Sequence, residues 1–336
     1  MKAVGYHRSL PVTDKDSLVD FTADKPAPTG RDLRVAVKTV SVNPVDTKVR
    51  MRAQPGTGEP PKVLGYDAAG VVDAVGPEAS LFKPGDEVFY AGSIVRPGTN
   101  AEFHLVDERI VGAKPKRLSF AQAAAMPLTS ITAWEMLFDR LAVAPGNTPD
   151  GRALLIIGGG GGSMLIQLAR RRTALTVIAT ASRPQTRDWC LKLGAHHVID
   201  HSKPIPVQLK SIGHERVALI AGLTNTQDHL PAIIEAIAPQ GRFALIDDPK
   251  ALDINPFKGK SVSVHWESMF TRSSFKTPDM IAQHRLLNEV SAMVDDGLIV
   301  TTMAMELTPI NAANLREAHG RIESGRTIGK VVLAGW

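Results

Sequence analysis

From about residue 127 onward, short apolar segments alternate with segments of helical pattern, and this alternation constrains the fold of the 336-residue chain more than any other feature. The strand-like segments are 153–157, 175–181, 197–200, 217–223, 242–246 and 261–266, and helical patterns occupy 163–172, 184–193 and 228–238. Apolar strands joined by crossover helices are typical of a doubly wound parallel sheet, because parallel neighbours need a long connection. We therefore predict a six-stranded α/β domain over residues 127–267.

The first 126 residues have a different pattern. Stretches such as RDLRVAVKTVSV and NAEFHLVD alternate apolar and polar residues between Gly, Pro and Asp breaks, which predicts an antiparallel barrel or sandwich. After Trp266 the sequence predicts a long helix over 278–296 and a strand in GKVVLAGW. We expect this tail to return to the first domain. The predicted β-rich domain is therefore 1–126 with 268–336, since the chain is too long for one hydrophobic core.

Composition and charge argue against several classes of protein. The chain is 43% apolar and 22% charged, which is ordinary for a globular protein, and no apolar run approaches the roughly 18 residues needed to span a bilayer. MKAVGYHRSLPVTDKD lacks the apolar core of a secretory signal, so we expect a cytoplasmic protein. The net charge is +5, but basic residues are scattered. The densest run, Arg170 to Arg172, ends a predicted helix, where the negative end of the helix dipole stabilises cations. We therefore expect no nucleic-acid partner.

The chain contains one cysteine, Cys190. An internal disulfide and a cysteine-rich zinc site are therefore excluded. Cys190 lies in a helical pattern, TRDWCLKLGA, which favours an inert buried thiol over a nucleophile.

A run of five glycines follows the first predicted strand of the α/β domain, in IIGGGGGSM. A glycine-rich turn at this place lets the backbone approach a pyrophosphate, and the helix that follows supplies free N–H groups. Gly158 and Gly160 match two positions of the G-x-G-x-x-G fingerprint, and Ser163 stands at the third, where it is small enough to pack and able to cap the helix. The position after the first strand favours a cofactor site over a merely flexible turn.

The end of the second strand selects the cofactor. An acidic residue there would bind the ribose hydroxyls of NAD, but TVIATASRPQTRD has no carboxylate before Asp188. Ser182 and Arg183 stand in that place, and a hydroxyl with a guanidinium suits a 2′-phosphate. We predict NADPH rather than NADH, the alternative being an ordinary surface turn.

Together these motifs resemble the medium-chain dehydrogenase/reductase superfamily, and within it the zinc-free quinone oxidoreductase branch, whose members are often labelled zinc-type alcohol dehydrogenase-like. The resemblance covers nearly the whole chain and is carried by SVNPVDTKVR, VLGYDAAGVVDAVG, FKPGDEVFYAG, GTNAEFHLVDERIVG, AAAMPLTSITAWEML, LGAHHVIDHS and APQGRFALIDDP. It implies a GroES-like domain closed by the C-terminal tail and a Rossmann domain inserted between. Relatives carry GGAGGVGS in the glycine turn, so GGGGGS is two residues shorter. A shorter turn must start the helix earlier or move its N-terminus out of register with the phosphates.

The resemblance also bears on zinc. Zinc-dependent members bind the metal through Cys, His and Cys, and the matching positions here hold Asn43, Tyr66 and Leu128, none of which is a good zinc ligand. The four-cysteine structural lobe of those enzymes is missing as well. His196, His197 and His201 cluster in sequence but enter a strand with alternating sides, so we predict no metal.

Without zinc to polarise a simple carbonyl, the reaction that we expect is the NADPH-dependent reduction of a quinone or an activated enone, which spreads charge to an oxygen. The resemblance implies that Asn43 and Tyr66 hydrogen-bond the substrate oxygen. It places Asp46 and Asp67 as loop supports. Residues 265–275 are expected to shape the substrate pocket. The cofactor contacts that we expect are Thr132, Gly158, Gly160, Ser163, Ser182, Arg183, Ile246, Asp247 and Lys330.

The sixth strand, SVSVHW, is expected to be a sheet edge that pairs across a two-fold axis, so we predict a homodimer. Two other readings stay open. In the first, the protein is a zinc-type alcohol dehydrogenase. In the second, it is a non-catalytic member of the superfamily that retains NADPH or has lost the cofactor through its short turn.

Overall fold

The computed structural model describes residues 1–56, 58–146 and 151–336. The strands, in chain order, are Lys2–Tyr6 (β1), Val19–Thr22 (β2), Asp32–Ser41 (β3), Lys62–Val63 (β4), Ala68–Val75 (β5), Glu87–Tyr90 (β6), Phe103–Asp107 (β7), Val111–Ala113 (β8), Ala153–Ile157 (β9), Thr176–Thr180 (β10), His197–Ile199 (β11), Val217–Gly222 (β12), Ile237–Leu245 (β13), Ser263–Trp266 (β14), Met303–Leu307 (β15) and Lys330–Ala334 (β16). The helices are Pro44–Arg52 (α1), Phe120–Ala124 (α2), Pro127–Trp134 (α3), Ser163–Arg172 (α4), Pro184–Lys192 (α5), Ile205–Ser211 (α6), Thr226–Ala236 (α7), Thr271–Phe275 (α8), Ala282–Asp295 (α9) and Ala312–Glu323 (α10). A π-helical turn, Glu135–Arg140, continues α3.

The chain divides into two compact units. Unit 1 comprises residues 1–131 and 270–336, and unit 2 comprises residues 132–269. In the described part of the chain, no helix is long and apolar enough to cross a membrane.

Unit 1 is built on a seven-stranded sheet with the order β15-β16-β3-β5-β6-β8, in which β7 also pairs with β3. Along β3, half-buried side chains alternate with buried ones, because one face of an antiparallel strand packs on the core. The buried face includes Leu33, Val35 and Val37. The last strand, β16, pairs antiparallel with β3, so the C-terminal tail is part of this sheet.

Unit 2 contains a six-stranded parallel sheet with the order β11-β10-β9-β12-β13-β14. Its strands coincide with the six apolar segments of the sequence, and the prediction of a doubly wound α/β fold beside a β-rich domain is confirmed. The first strand, β9, lies between β10 and β12 and is buried along its whole length. From β9 the strands are therefore added first to one side of the sheet and then to the other. In open α/β sheets, ligands bind in the crevice at this switch point.

Several boundaries differ from the sequence prediction, and the start of β13 differs most. The helix α7 ends at Ala236 rather than near residue 238, because Ile237 adopts extended backbone and begins β13 five residues early. The early segment is joined to the rest of β13 by an irregularity at which Val217 pairs with Ile237 but Leu219 pairs with Arg242. Gln240, inside that irregularity, has a positive φ of 61°. A bulge of this kind leaves no periodicity for a sequence pattern to detect.

Candidate functional site

The glycine turn of unit 2 is held against the neighbouring strand by hydrogen bonds. Gly158 has a φ of +92°, which glycine adopts without strain. Its N–H donates to Thr180 Oγ1 at 3.0 Å, and the N–H of Gly159 donates to Thr180 O at 3.0 Å. The turn therefore begins in a fixed position at the carboxyl ends of β9 and β10.

Two glycines of this turn, Gly159 and Gly162, are also closely packed. A Cβ atom on Gly159 would lie 2.8 Å from Cys190 Sγ and 2.9 Å from Thr180 O, and one on Gly162 would lie 2.9 Å from both Ile156 and Leu223. Contacts this short exclude any side chain. The run is a packed turn with specific contacts, which argues against a merely flexible connection.

Ser163 is the first residue of α4, and Gly162 is the residue that caps it, without a side-chain bond. The expected capping by Ser163 is therefore wrong, because the helix starts directly after the fifth glycine. The Ser163 hydroxyl instead donates to Gly160 O at 3.0 Å and accepts from Trp189 Nε1 at 2.9 Å. The N–H groups of the first turn of α4 have no acceptor within the helix, and with the helix dipole they favour an anion. The residues present therefore fit the diphosphate of a dinucleotide cofactor.

Ser182 and Arg183 follow β10, which pairs with β9. Ser182 is exposed and Arg183 is half-buried at the N-terminal cap of α5. Cys190, on the same helix, is buried, and burial raises the pKa of its thiol to about 11. The expectation of a buried thiol is confirmed.

Ile246 and Asp247 follow β13 at the same edge of the sheet. The N–H of Ile246 donates to Gly222 O at 3.1 Å, and Asp247 Oδ2 accepts from the N–H of Thr226 at 2.7 Å. Asp247 Oδ1 is buried and meets no donor among the described residues. Thr132 is half-buried near the end of α3. Except for Thr132 and Lys330, the expected cofactor contacts thus lie on segments that follow β9, β10 and β13.

Unit 1 contains a buried polar cluster made of Asn43, Asp67 and Lys330. Lys330 Nζ donates to Val42 O at 3.2 Å, to Asn43 Oδ1, and to Asp67 Oδ2 at 2.9 Å. Asn43 Nδ2 donates to Asp67 Oδ2 at 2.8 Å, and the N–H of Leu128 donates to Asp67 Oδ1 at 2.7 Å. Burial raises the pKa of Asp67, and Lys330, Asn43 and Leu128 oppose that rise.

This cluster bears on two expected roles. The three N–H groups of Lys330 have three protein acceptors, which leaves no donor for a cofactor. The amide of Asn43 is engaged at both ends, which favours a supporting role over contact with substrate. The cofactor contact of Lys330 and the substrate contact of Asn43 stay predictions.

Asp46 supports the same loop. Its carboxylate accepts from the N–H of Asn43 at 2.7 Å and from the N–H of Gly65 at 3.0 Å. Asn43 and Asp46 form a reciprocal capping box at the start of α1, with Pro44 as the first helical residue. Burial is the main cause that raises the pKa of Asp46 to about 7, against the two N–H donors.

Tyr66 is buried, and its ring packs edge-to-face on Phe270 with centroids 5.3 Å apart. Its hydroxyl has no hydrogen-bond partner within the described ranges. Burial, with smaller contributions from Asp46 and Tyr6, raises the pKa of the phenol, which therefore stays protonated at neutral pH. A buried hydroxyl without a partner is uncommon and suits a ligand that brings the missing acceptor.

The donor set at the zinc-ligand positions does not fit zinc. The amide of Asn43 is used within the protein, Tyr66 is a neutral phenol, and Leu128 is aliphatic. Across the described ranges, no group of three or more His, Cys, Asp or Glu side chains is placed to hold a metal ion. Catalytic zinc needs about three ligands of N, S or O type, and these positions do not supply them.

Several residues of these sites escaped the sequence analysis. Thr180 and Trp189 fix the glycine turn, and Glu135 and Glu267 are buried carboxyl groups of unit 2. Thr180 could have been found from its position, because it is the last residue of the second strand of the unit 2 sheet. No local pattern identifies the other three, because their partners are distant in sequence.

Comparisons with known proteins agree with this architecture. Residues 29–129 match the family model of the alcohol dehydrogenase GroES-like domain, and residues 193–333 match that of the zinc-binding dehydrogenases. A zinc-type alcohol dehydrogenase-like protein of Staphylococcus aureus is 38% identical over 99% of both chains. Human quinone oxidoreductase is 30% identical over 69% of both chains.

Among solved structures, a Rhizobium etli protein assigned to the zinc-dependent alcohol dehydrogenases has a TM-score of 0.96 and 60% identity, over 100% of this chain and 98% of that one. The two domain models match in the family's order, and the relatives align from end to end. These matches are sufficient to assign the family. The chain belongs to the medium-chain dehydrogenase/reductase superfamily.

Proposed function

We propose that the protein is an NADPH-dependent oxidoreductase that transfers a hydride to a quinone or an activated enone without a metal. The observation that carries the proposal is the Tyr66 hydroxyl, which is buried, protonated and without a partner among the described residues. It stands at a position where zinc-dependent members of the superfamily have a ligand. A hydrogen-bond donor there replaces the metal as the group that stabilises charge on a substrate oxygen.

The choice of acceptor follows from the strength of that donor. A single neutral hydrogen bond stabilises a developing oxyanion far less than a metal ion does, so a simple ketone is a poor substrate. A quinone or enone accepts hydride at a conjugated carbon and delocalises the charge, so one donor suffices. The described similarity to human quinone oxidoreductase supports this class of substrate.

NADPH would supply the hydride, and the protein would bind and orient this cofactor. In this proposal the N–H groups at the start of α4 bind the diphosphate, and Ser182 and Arg183 bind the 2′-phosphate. Asp67, Asn43 and Lys330 act on the substrate side by fixing the loop from Asn43 to α1 and the backbone at Tyr66.

We also propose a homodimer through β14, the edge strand of the unit 2 sheet. An unpaired edge is a template for association, and Trp266 at its end is 55% exposed. Sedimentation equilibrium tests this proposal, because a monomer at micromolar concentration would exclude it.

The test of the reaction uses metal-stripped protein with NADPH and a benzoquinone, followed at 340 nm, with an aliphatic ketone as the comparison substrate. We expect quinone reduction that chelators do not inhibit, and a Tyr66→Phe variant with kcat about 100- to 1,000-fold lower, as for loss of one oxyanion donor. Tyr90→Phe is the matched control, because the Tyr90 hydroxyl is also buried but has His104 Nδ1 as a partner at 3.1 Å. Activity that depends on stoichiometric zinc would instead support a zinc-type alcohol dehydrogenase.

Calorimetric titration with NADPH and NADH tests the cofactor. Micromolar binding of NADPH with much weaker NADH supports the assignment. Absence of binding for both would support the non-catalytic alternative, in which the shortened turn has lost the cofactor.

A further inference from the structure

Unit 1 contains a small cavity near the end of β7. Its volume is about 40 Å³, which is room for about three water molecules. The loop that follows β6, the end of β7, and α8 with the residues after it contribute to its walls, and neither Tyr66 nor Lys330 is among the described residues that line it. Part of the wall is apolar and is formed by Leu105, Val106, Ile110 and Met280.

The polar part of the wall includes a hydroxyl group that has no partner. Ser93 is 5% exposed, and its Oγ atom is buried and makes no hydrogen bond to any of the described residues. Ser273 also lines the cavity, but its hydroxyl already donates to Phe270 O at 3.1 Å. Buried hydroxyl groups normally have a hydrogen-bond partner. The Ser93 hydroxyl therefore suits a ligand that brings an acceptor into the cavity.

A cation without a protein partner lines the same cavity. Lys276 directly follows α8 and has a φ of 48°, which is uncommon for a residue other than glycine. Among the described residues, its ammonium group has neither a hydrogen bond nor an ion pair. Lys276 is exposed, so water solvates this charge when no ligand is bound. The ammonium group is therefore free to bind an anion at the open side of the cavity.

The other charged side chains of the wall are already paired. Arg96 donates from Nη1 and Nη2 to the two carboxylate oxygens of Asp32, at 2.7 and 2.9 Å. Asp107 accepts from Nε and Nη2 of Arg109, at 2.9 and 2.7 Å. Each carboxylate thus has its own guanidinium, and the charge of Lys276 is left over. The cavity therefore has an excess of one positive charge, which a monovalent anion would balance.

Three neighbouring titratable groups do not alter this balance. Burial is the main cause that lowers the pKa of His104 to about 4, so its imidazole is neutral at pH 7. Glu108 is paired with Arg31, from which it accepts a hydrogen bond at 2.8 Å. Glu78 is exposed, and solvent and salt screen its charge.

We propose that this cavity is a binding site for a small carboxylate of about the size of acetate. The Ser93 hydroxyl donates to one carboxylate oxygen and the Lys276 ammonium group donates to the carboxylate from the open side. The short alkyl end of the ligand packs on the apolar part of the wall. The donors favour an anion over a cation or an apolar molecule, and the small volume with its apolar wall favours a carboxylate over the larger and more highly charged phosphate. The site needs no nicotinamide cofactor, so this inference does not depend on the proposed function.

Saturation-transfer NMR of the full-length protein with sodium acetate tests the proposal, in Tris chloride buffer at pH 7.5 and without cofactor. We expect acetate to bind with a Kd on the order of 1 mM, which is within the limit for so few heavy atoms. Acetamide has nearly the same shape but no charge, and we expect it to bind at least about tenfold more weakly. Added sodium chloride at a concentration equal to that of acetate should leave the acetate signal in place.

Two variants remove the proposed donors one at a time. Ser93→Ala deletes a hydroxyl that no other described residue uses, and Lys276→Met deletes the free charge. We expect each to weaken acetate binding by about tenfold or more. The matched controls are Ser41→Ala, since the Ser41 hydroxyl is also buried without a partner in the described chain but lies on β3 away from the cavity, and Lys83→Met, since Lys83 is an exposed lysine of unit 1. Both controls should bind acetate within about twofold of the parent.

Each contrary result overturns the inference. Absence of acetate binding at millimolar concentration in the parent would show that the cavity holds only water. Acetate binding that persists unchanged in both Ser93→Ala and Lys276→Met would place the ligand elsewhere. Equal binding of acetamide would refute the argument from charge, and displacement of acetate by an equal concentration of chloride would assign the site to inorganic monoanions. Thermal melting establishes that each variant is folded, and none of these results bears on the reductase proposal, because no cofactor is present.

Discussion

The buried Lys330–Asp67 pair allows a quantitative prediction about the stability of unit 1. Asp67 is 0% exposed and Lys330 is 8% exposed, so the pair is in the regime where removal of one charge is costly. Lys330→Met deletes three donated hydrogen bonds and leaves the Asp67 carboxylate with Asn43 and Leu128 as its remaining donors. Breaking a buried pair in this way costs about 3–5 kcal/mol.

Asp67→Asn keeps the shape and removes the opposite charge, and we expect it to cost about 2–4 kcal/mol. The double variant removes both charges, so it should be less destabilised than the sum of the single changes. The coupling energy expected for residues in such contact is about 2–3 kcal/mol.

Urea unfolding followed by circular dichroism and fluorescence measures the four free energies of unfolding. Arg321→Met is the control, because Arg321 and its partner Glu317 are both half-exposed, and a surface pair of this kind contributes about 0–1 kcal/mol. A coupling energy below about 0.5 kcal/mol would show that Lys330 and Asp67 act independently, and the argument from burial would then be wrong.

Three further predictions concern single residues. Gly159→Ala should lower NADPH affinity at least tenfold, since its Cβ would collide with Cys190 Sγ, whereas Gly161→Ala meets nothing closer than 3.7 Å and should bind within about threefold in the same titration. Arg183→Ala should weaken NADPH by about tenfold or more and leave NADH unchanged, and equal losses for both cofactors would remove Arg183 from the 2′-phosphate site. The pKa of Asp46 rises from 3.8 to about 7 on folding, so its contribution to stability is fully present below pH 4 and is lost as the pH rises through 7. Urea midpoints measured from pH 4 to pH 8 should therefore fall more steeply in the parent than in Asp46→Asn, and parallel curves would contradict that pKa.

The sequence alone was sufficient to predict the two domains and the parallel sheet, because the apolar patterns of the strands are local. The apolar runs at β9 and β12 and the breaks around them have the length and composition of buried parallel strands. The start of β13 was not predictable, since its bulge depends on pairing with Val217 across the sheet.

The sequence predicted which positions form the sites, but it did not predict the contacts that their side chains make. The glycine turn, Tyr66 and Lys330 could be located from motifs, but the three acceptors around Lys330 lie up to 288 residues away in sequence. The partner of Ser163 is a tryptophan on the next helix. Such contacts are products of tertiary packing, and no periodicity encodes them.

The pairing of β16 with β3 has a consequence for biosynthesis. Lys330 and Asp67 are 263 residues apart, and β3 is synthesised long before the strand that lies beside it. Unit 2 is one continuous stretch, whereas unit 1 lacks two strands of its sheet until translation is almost complete. Domains fold on the ribosome as their residues emerge, so we expect the inserted unit to fold first. The N-terminal segment then waits with the β3 edge unpaired, and a nascent chain stalled before residue 303 should be sensitive to protease in residues 1–131 and resistant in residues 132–269.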